Sequence, residues 1–163
     1  MTLQGKLNVQ LHHAECLIKA SGTRLTDHRL KLLGLLYCSG KPLSAYEITK
    51  LFNYTYNEKV IANSVYRTLN DLISAQLAYR LNTINKYIVR NTIKQGANKP
   101  FALFVICSKC LHVEEEQAPI AMVKALAEKT RSNSFEAITP QLELSGLCSK
   151  CHKQENLKKN ENF

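Results

Sequence analysis

Apolar positions recur with a helical period through the first 75 residues and with a strand-like period after them. Leu11, Ala14, Leu17 and Ile18 repeat at helical spacing. Thr26, just before Asp27-His28-Arg29, predicts the cap of a second helix that buries Leu30, Leu33 and Tyr37 and ends at Ser39-Gly40-Lys41-Pro42. Ser44 stands three residues before Glu47, the spacing of a capping box, and opens a third helix through Leu51. Asn53 to Lys59 is polar and turn-like. Asn63 or Ser64 is then expected to cap a fourth helix, NSVYRTLNDLISA, whose Val65, Leu69, Leu72 and Ile73 form one apolar stripe. From Gln76 the period shortens. LAYRLN and KYIVR, separated by Thr83-Ile84-Asn85, read as a β-hairpin. Helices, a helix that presents polar residues, then a hairpin: this is the order of a winged helix-turn-helix.

NTIKQGANKP, residues 91–100, has few apolar anchors, a Gly and a closing Pro, and reads as a hinge. Beyond it FALFVIC predicts an apolar strand, LHVEEE a shorter one and PIAMVKALAEKT a helix with Pro119 near its first turn. FEAITPQLELSGLC is extended, with Pro140 at an edge or bulge. The tail from Gln154 is rich in Lys, Asn and Glu and is expected to fray. The expected fold is therefore α+β. A winged-helix domain spans 1–90, a hinge 91–100, a small C-terminal α/β domain 101–154 and a flexible tail 155–163.

Charge adds a partner class. The 163 residues carry a formal +9, and residues 1–90 hold 12 Lys+Arg against 5 Asp+Glu. Residues 91–163 hold 10 against 8, so the basic excess belongs to the first block. A polyanion partner follows, because Lys and Arg near phosphates release condensed counterions. A basic, well-solvated surface is the plainer reading of the same charge. No run reaches the ~18 apolar residues of a membrane span. The start shows no apolar signal core, so the cytosol is the expected compartment, where thiols stay reduced.

The chemistry lies in a repeated tetrapeptide. CSKC occurs as Cys107–Cys110 and again as Cys148–Cys151, with 37 residues between the copies. C-x2-C lets one tight turn offer two sulfurs to one ion, and two such knuckles make a tetrahedral zinc site of four thiolates. The intervening strand, helix and strand can leave one knuckle and return to it. Lys109 and Lys150 would offset part of the site's negative charge. Free structural cysteines and a redox pair are the alternatives, although a redox C-x-x-C normally occurs once, at a helix start. Cys16 and Cys38 read as buried helix thiols. An enzyme reading also exists: His112-Val113-Glu114 followed by a C-x-x-C suggests a zinc deaminase. Against it, Leu147 stands where that motif has Pro, Cys107 and Cys110 go unused, and four thiolates leave no open position for water. A zinc-ribbon adaptor that binds protein is a third class.

RLTDHRLKLLGLL, LSAYEI, SVYRTLNDLISAQLAYRL and the two knuckles, in that order, resemble the ferric-uptake-regulator family over about Cys16 to Cys151. The ending ELSGLCSKCHK is most similar to its zinc-uptake branch. The resemblance implies a homodimeric repressor whose winged helix binds AT-rich palindromes in duplex DNA and whose C-terminal domain dimerises. It implies one structural zinc on Cys107, Cys110, Cys148 and Cys151. It also implies a recognition-helix pair, Tyr66 and Arg67. Both lie off the stripe of Val65, Leu69 and Leu72, and Arg can pair bidentately with guanine. For Tyr66, packing on a neighbouring helix is the plainer role. Arg29 and Tyr46 match a family Arg and Tyr near the DNA backbone, and each could equally be an ordinary helix-surface residue. Lys50 stands where the zinc branch often has an acid, and a Lys there favours phosphate.

The family's second, regulatory metal site draws a His from the wing's start, a Cys or His from its end, a His from the hinge and an acid after the first knuckle. Here Tyr79, Arg90 and a His-free hinge occupy those places, and only the acid, Glu115, remains. One carboxylate does not hold zinc against competing ligands. The expectation is that the sensor site is lost; an Arg90–Glu115 pair can stand in for the metal, and Arg90 contacting a DNA phosphate from the wing is the alternative. The runner-up is thus a metal-unresponsive regulator with structural zinc only. His12, His13, His112, His152 and the acids Glu114–Glu116 could compose another site, but read as solvated residues.

Overall fold

The computed structural model describes residues 11–12, 14–16, 18–22, 24, 26–90, 102–132 and 141–160. The chain divides into two compact units, Met1–Asn91 and Thr92–Phe163.

Unit 1 holds α1 (Asp27–Ser39), α2 (Ala45–Tyr56), α3 (Ala62–Ser74) and a hairpin of β1 (Ala78–Leu81) and β2 (Lys86–Val89). The described positions between 11 and 20 are helical, and Ala14 and Ile18 enter the core with no exposed surface. Thr26 caps α1 by accepting from the Arg29 N–H at 3.3 Å, and Gly40 ends it at φ 58°, where a Cβ would be strained. Ser44 and Glu47 form a capping box at the start of α2: each side chain bonds the other's backbone N–H.

The fourth predicted helix differs at its start. α3 begins at Ala62 with Ile61 as N-cap and no side-chain cap, not with Asn63 or Ser64. Asn53 on α2 fixes the approach instead, since its amide bonds both the N–H and the C=O of Val60. At its far end Gln76 takes the left-handed position (φ 58°) that glycine usually fills, and Leu77 N–H reaches back to Leu72 C=O at 2.8 Å.

α1 buries more than its predicted stripe. Leu32, Leu33, Leu35 and Leu36 are all buried, while Leu30 and Tyr37 pack partly exposed at the margin. The helix is apolar on several sides because α2, α3 and β2 surround it. Phe52, Ile48, Val65, Leu69, Leu72 and Tyr87 complete the core. Leu43 forms an antiparallel bridge to Tyr87, with N–H···O distances of 2.9 and 2.7 Å. The α1–α2 connection thereby adds a third pairing to the hairpin and ties the wing to the helices. Cys16 and Cys38, expected to be buried, are exposed. Cys16 lies two residues from both Ala14 and Ile18, and Cys38 lies two from Leu36, a step that turns a side chain to the opposite helix face.

Unit 2 is a three-stranded sheet in the order β4-β3-β5, with helices α4 (Ile120–Ser132) and α5 (Ser149–Asn160). Central β3 (Ala102–Cys107) runs antiparallel to β4 (Val113–Gln117) and parallel to β5 (Gln141–Gly146). Ala102, Leu103, Phe104 and Ile106 are buried along β3. The tail expected to fray from Gln154 continues as helix α5 to Asn160. The expected hinge and the Pro140 bulge lie outside the described residues.

Candidate metal centre and nucleic-acid interface

The sheet brings the two knuckles together. Cys107 is the last residue of β3, and β5 beside it ends in register at Gly146, opposite Cys107. Both chains therefore leave the sheet at the same edge and turn into their CSKC copies. Ser108 ties the turns to each other: its N–H and its Oγ–H both donate to Gly146 C=O, at 2.9 and 3.2 Å. Cys107 N–H donates to His112 C=O at 2.8 Å, and Leu111 N–H closes the first knuckle on Cys107 C=O at 2.9 Å. Leu111 holds φ 58°, a left-handed position that strains a side chain with Cβ. The second knuckle becomes the first turn of α5, where His152 N–H bonds Cys148 C=O.

The four sulfurs lie within 4.8 Å of one another, and Cys110 Sγ and Cys148 Sγ are 3.7 Å apart. That is far beyond a disulfide, at ~2.05 Å. It matches the edge of a tetrahedron with metal–sulfur bonds of ~2.3 Å, which is about 3.8 Å. Cys107 and Cys151 are buried and Cys110 is exposed. Backbone N–H groups of Cys148, then Cys110, pull the Cys107 thiol down to about 6, which favours the thiolate a metal would need. Burial, then the neighbouring cysteine side chains, pushes Cys151 up to about 12. The donor set thus fits a thiophilic cation whose charge replaces the remaining protons. Among the described residues this is the one group of three or more potential ligands close enough to share an ion. A cavity of about 270 Å³ adjoins it, lined in part by His112 and Glu114. Those two side chains bond each other at 3.0 Å and are both more than half exposed.

Unit 1 carries the other candidate surface. On α3 the inward positions are Val65, Thr68, Leu69 and Leu72. Tyr66 and Arg67 are exposed. Tyr66 keeps a packing contact as well, its ring meeting Tyr87 edge-on at 6.5 Å, and is 42% exposed. Tyr46 and Lys50 sit one turn apart on α2, with Lys50 Nζ 4.6 Å from the centre of the Tyr46 ring, which is 64% exposed. Lys86 of the wing bonds Glu47 at 3.1 Å and joins the hairpin to the start of α2.

Arg29, expected near the DNA backbone or as a helix-surface residue, makes contacts across the helices. Its guanidinium turns to α3 and pairs with Asp71 at 2.6 Å, with a second bond to Arg24 C=O at 2.7 Å. His28 beside it bonds Thr68 Oγ1 through Nδ1 at 2.8 Å and packs on Phe52. Burial first of all holds its pKa below the ordinary imidazole value. Sequence pattern alone did not reveal these cross-helix pairs, because residues 40 positions apart leave no periodic signal.

Arg90 ends the wing in unit 1. Its Nη1 donates to Gln76 Oε1 at 2.9 Å and its guanidinium lies 5.9 Å from the Tyr79 ring centre. Its Nε is buried with no hydrogen-bond partner among the described residues. Glu115 lies on β4 in unit 2, opposite Phe104. His12 is exposed on the first helical segment, His152 is exposed on α5, and His13 lies outside the described residues.

Residues 20–145 match the model of the Ferric uptake regulator family. The zinc uptake regulation protein of Escherichia coli strain K12 is 28% identical over 143 residues, which cover 86% of this chain and 80% of that protein. Among solved structures, a zinc uptake regulator complexed with zinc and DNA superposes with a TM-score of 0.78 at 24% identity, over 96% of this chain and 99% of its own. Holo XcZur superposes with a TM-score of 0.73 at 26% identity, over 90% and 99%.

Proposed function

This chain belongs to the ferric uptake regulator family, and from that premise we propose that it is a zinc-dependent, sequence-specific DNA-binding repressor of the zinc-uptake type. Members of the family are transcription regulators, not enzymes, as the sequence reading expected, and the deaminase alternative falls with that membership. A closed set of four cysteines also offers no open position to a reacting water.

The observation that carries the reading is the outward pair Tyr66–Arg67 on α3, the last helix before the hairpin. In a winged helix that helix enters the major groove, where Arg reads guanine bidentately and Tyr contacts a thymine methyl or a phosphate. Tyr46 and Lys50 on α2 would meet the phosphate backbone, which fits the basic excess of the first block. Cys107, Cys110, Cys148 and Cys151 would hold one zinc ion per chain. When bound, the ion supplies folding energy to unit 2 rather than reaction chemistry. The residues themselves arrange the turns, favour the Cys107 thiolate and shelter Cys151.

The protein would act as a homodimer on a palindromic, AT-rich operator. The exposed apolar side chains Val105, Leu126 and Leu144 of unit 2 support self-association. In place of a second metal, Arg90 and Glu115 would pair between the units. Selection from a randomised duplex pool, with and without a chelator, tests the function. A two-fold symmetric consensus supports the reading. Recovery of no consensus by the metal-loaded protein refutes it.

A further inference from the structure

We propose that Arg29 is a positioning residue: with His28 it sets the roll of α3, and so the aim of Arg67, instead of gripping a phosphate. The proposal rests on α3 being the DNA-reading helix. Its warrant is a double latch. Two adjacent residues in the first turn of α1 reach two residues one turn apart on α3: His28 to Thr68 at 2.8 Å and Arg29 to Asp71 at 2.6 Å. Thr68 is the buried polar side chain of the described residues, so its hydrogen bond lies in a place where a mismatch is costly. The Arg29 side chain is 21% exposed, and its second bond, to Arg24 C=O, anchors it at the start of α1. Thr68, next to Arg67 in the chain, holds α3 from its buried side, while Asp71, one turn on from Arg67 along the same outward side, is gripped at the margin with its side chain 48% exposed.

The lever is short but sufficient. A group about 6 Å from a helix axis moves about 1 Å when the helix rolls by about 10°. That displacement exceeds the spread of good hydrogen-bond distances, roughly 2.7 to 3.2 Å, so a bidentate contact from Arg67 would lose one or both of its bonds. The apolar stripe of α3 sets which face turns inward, but the hydrophobic effect itself is non-directional, so fine adjustment of roll falls to bonds that have direction. Directional bonds to Thr68 and Asp71 supply what the stripe lacks.

Asp71→Asn separates the two roles of Arg29, because it removes the negative charge that holds the guanidinium and so loosens the pair. The measurement is affinity for the selected operator and for random duplex, over a salt series, for wild type, Asp71→Asn, Arg29→Gln and the double variant. Under positioning, both single variants lower the operator-to-random ratio by about fivefold or more, the lower end of what one bidentate base contact supplies. The double variant then falls no further than either single one. If Arg29 is a phosphate contact, Asp71→Asn tightens binding to both duplexes. Arg29→Gln then flattens the salt dependence by about 0.9 in log–log slope and leaves the ratio unchanged. That result, or an unchanged ratio in Asp71→Asn, overturns the proposal. Thermal unfolding identifies a variant that fails to fold, and Asp71→Asn alone still decides. A wild-type protein that prefers no operator would instead overturn the proposed function.

Discussion

Removing zinc should unfold one half of this protein and spare the other. Unit 2 has fewer than 75 residues, and among the described ones the buried side chains are those of one strand, Phe104 and Ile106 chief among them, with Cys107 and Cys151 of the cluster. A core in that size range rarely supplies more than ~3–5 kcal/mol. A structural zinc on four thiolates contributes about 10–16 kcal/mol of apparent binding energy at pH 7. The metal term exceeds the core term several-fold, so the apo state should lie on the unfolded side for unit 2. Among its described residues unit 1 has a continuous core of sixteen buried side chains with no cysteine in it, so its stability should not depend on the ion. Amide hydrogen exchange read by mass spectrometry, with and without a tight zinc chelator, resolves the two. Protection over 102–107 and 141–146 should collapse on chelation and in Cys148→Ser, while protection over 32–36 and 65–72 persists. Unchanged protection of β3 in metal-free protein would refute the staple.

Other outcomes are equally checkable. Glu47 is held at about 2, chiefly by the Ser44 N–H, against an ordinary 4.5. A depressed carboxyl contributes stability that is full above pH ~4.5 and is lost as pH falls towards 2. Discounted for its exposure, Glu47→Gln should cost about 1 kcal/mol at pH 7 and nothing near pH 2, by thermal unfolding at the two pH values. Leu111→Gly removes a side chain from the left-handed position at the first knuckle and should stabilise the zinc-loaded protein by about 1 kcal/mol in denaturant titration, whereas a loss would show that the Leu111 side chain packs productively. Arg90→Ala and Glu115→Ala should show coupling above about 0.5 kcal/mol in a double-mutant cycle on operator affinity, and additive losses would assign Arg90 to the wing alone.

Most of the fold was legible because its signals are local. Thr26 and Ser44 are caps whose partners lie three residues away, and the switch from helical to alternating period at Gln76 marks the wing. The cysteine cluster was legible for another reason: ligand spacing is itself a geometric constraint. What was not legible depends on distance along the chain. The burial of Leu32, Leu35 and Leu36 requires knowing that α1 is surrounded. The Leu43–Tyr87 bridge pairs a loop with a strand 44 residues later. Asn53 fixing the start of α3, and Asp71 capturing Arg29, are polar contacts between helices that no stripe announces. Cys16 and Cys38 are small apolar residues beside buried neighbours, and a thiol's type does not decide which helix face it takes.

The most direct test of the account is the ratio of operator to random-duplex affinity for the zinc-loaded protein, measured over a salt series beside Arg67→Ala and Lys50→Ala. The account predicts a steep salt dependence for both duplexes in wild type. Arg67→Ala should lose about 1–3 kcal/mol on the operator and little on random DNA, while Lys50→Ala should weaken both alike and flatten the slope. Equal losses on the two duplexes for Arg67→Ala would contradict the assignment of α3 as the helix that reads the bases.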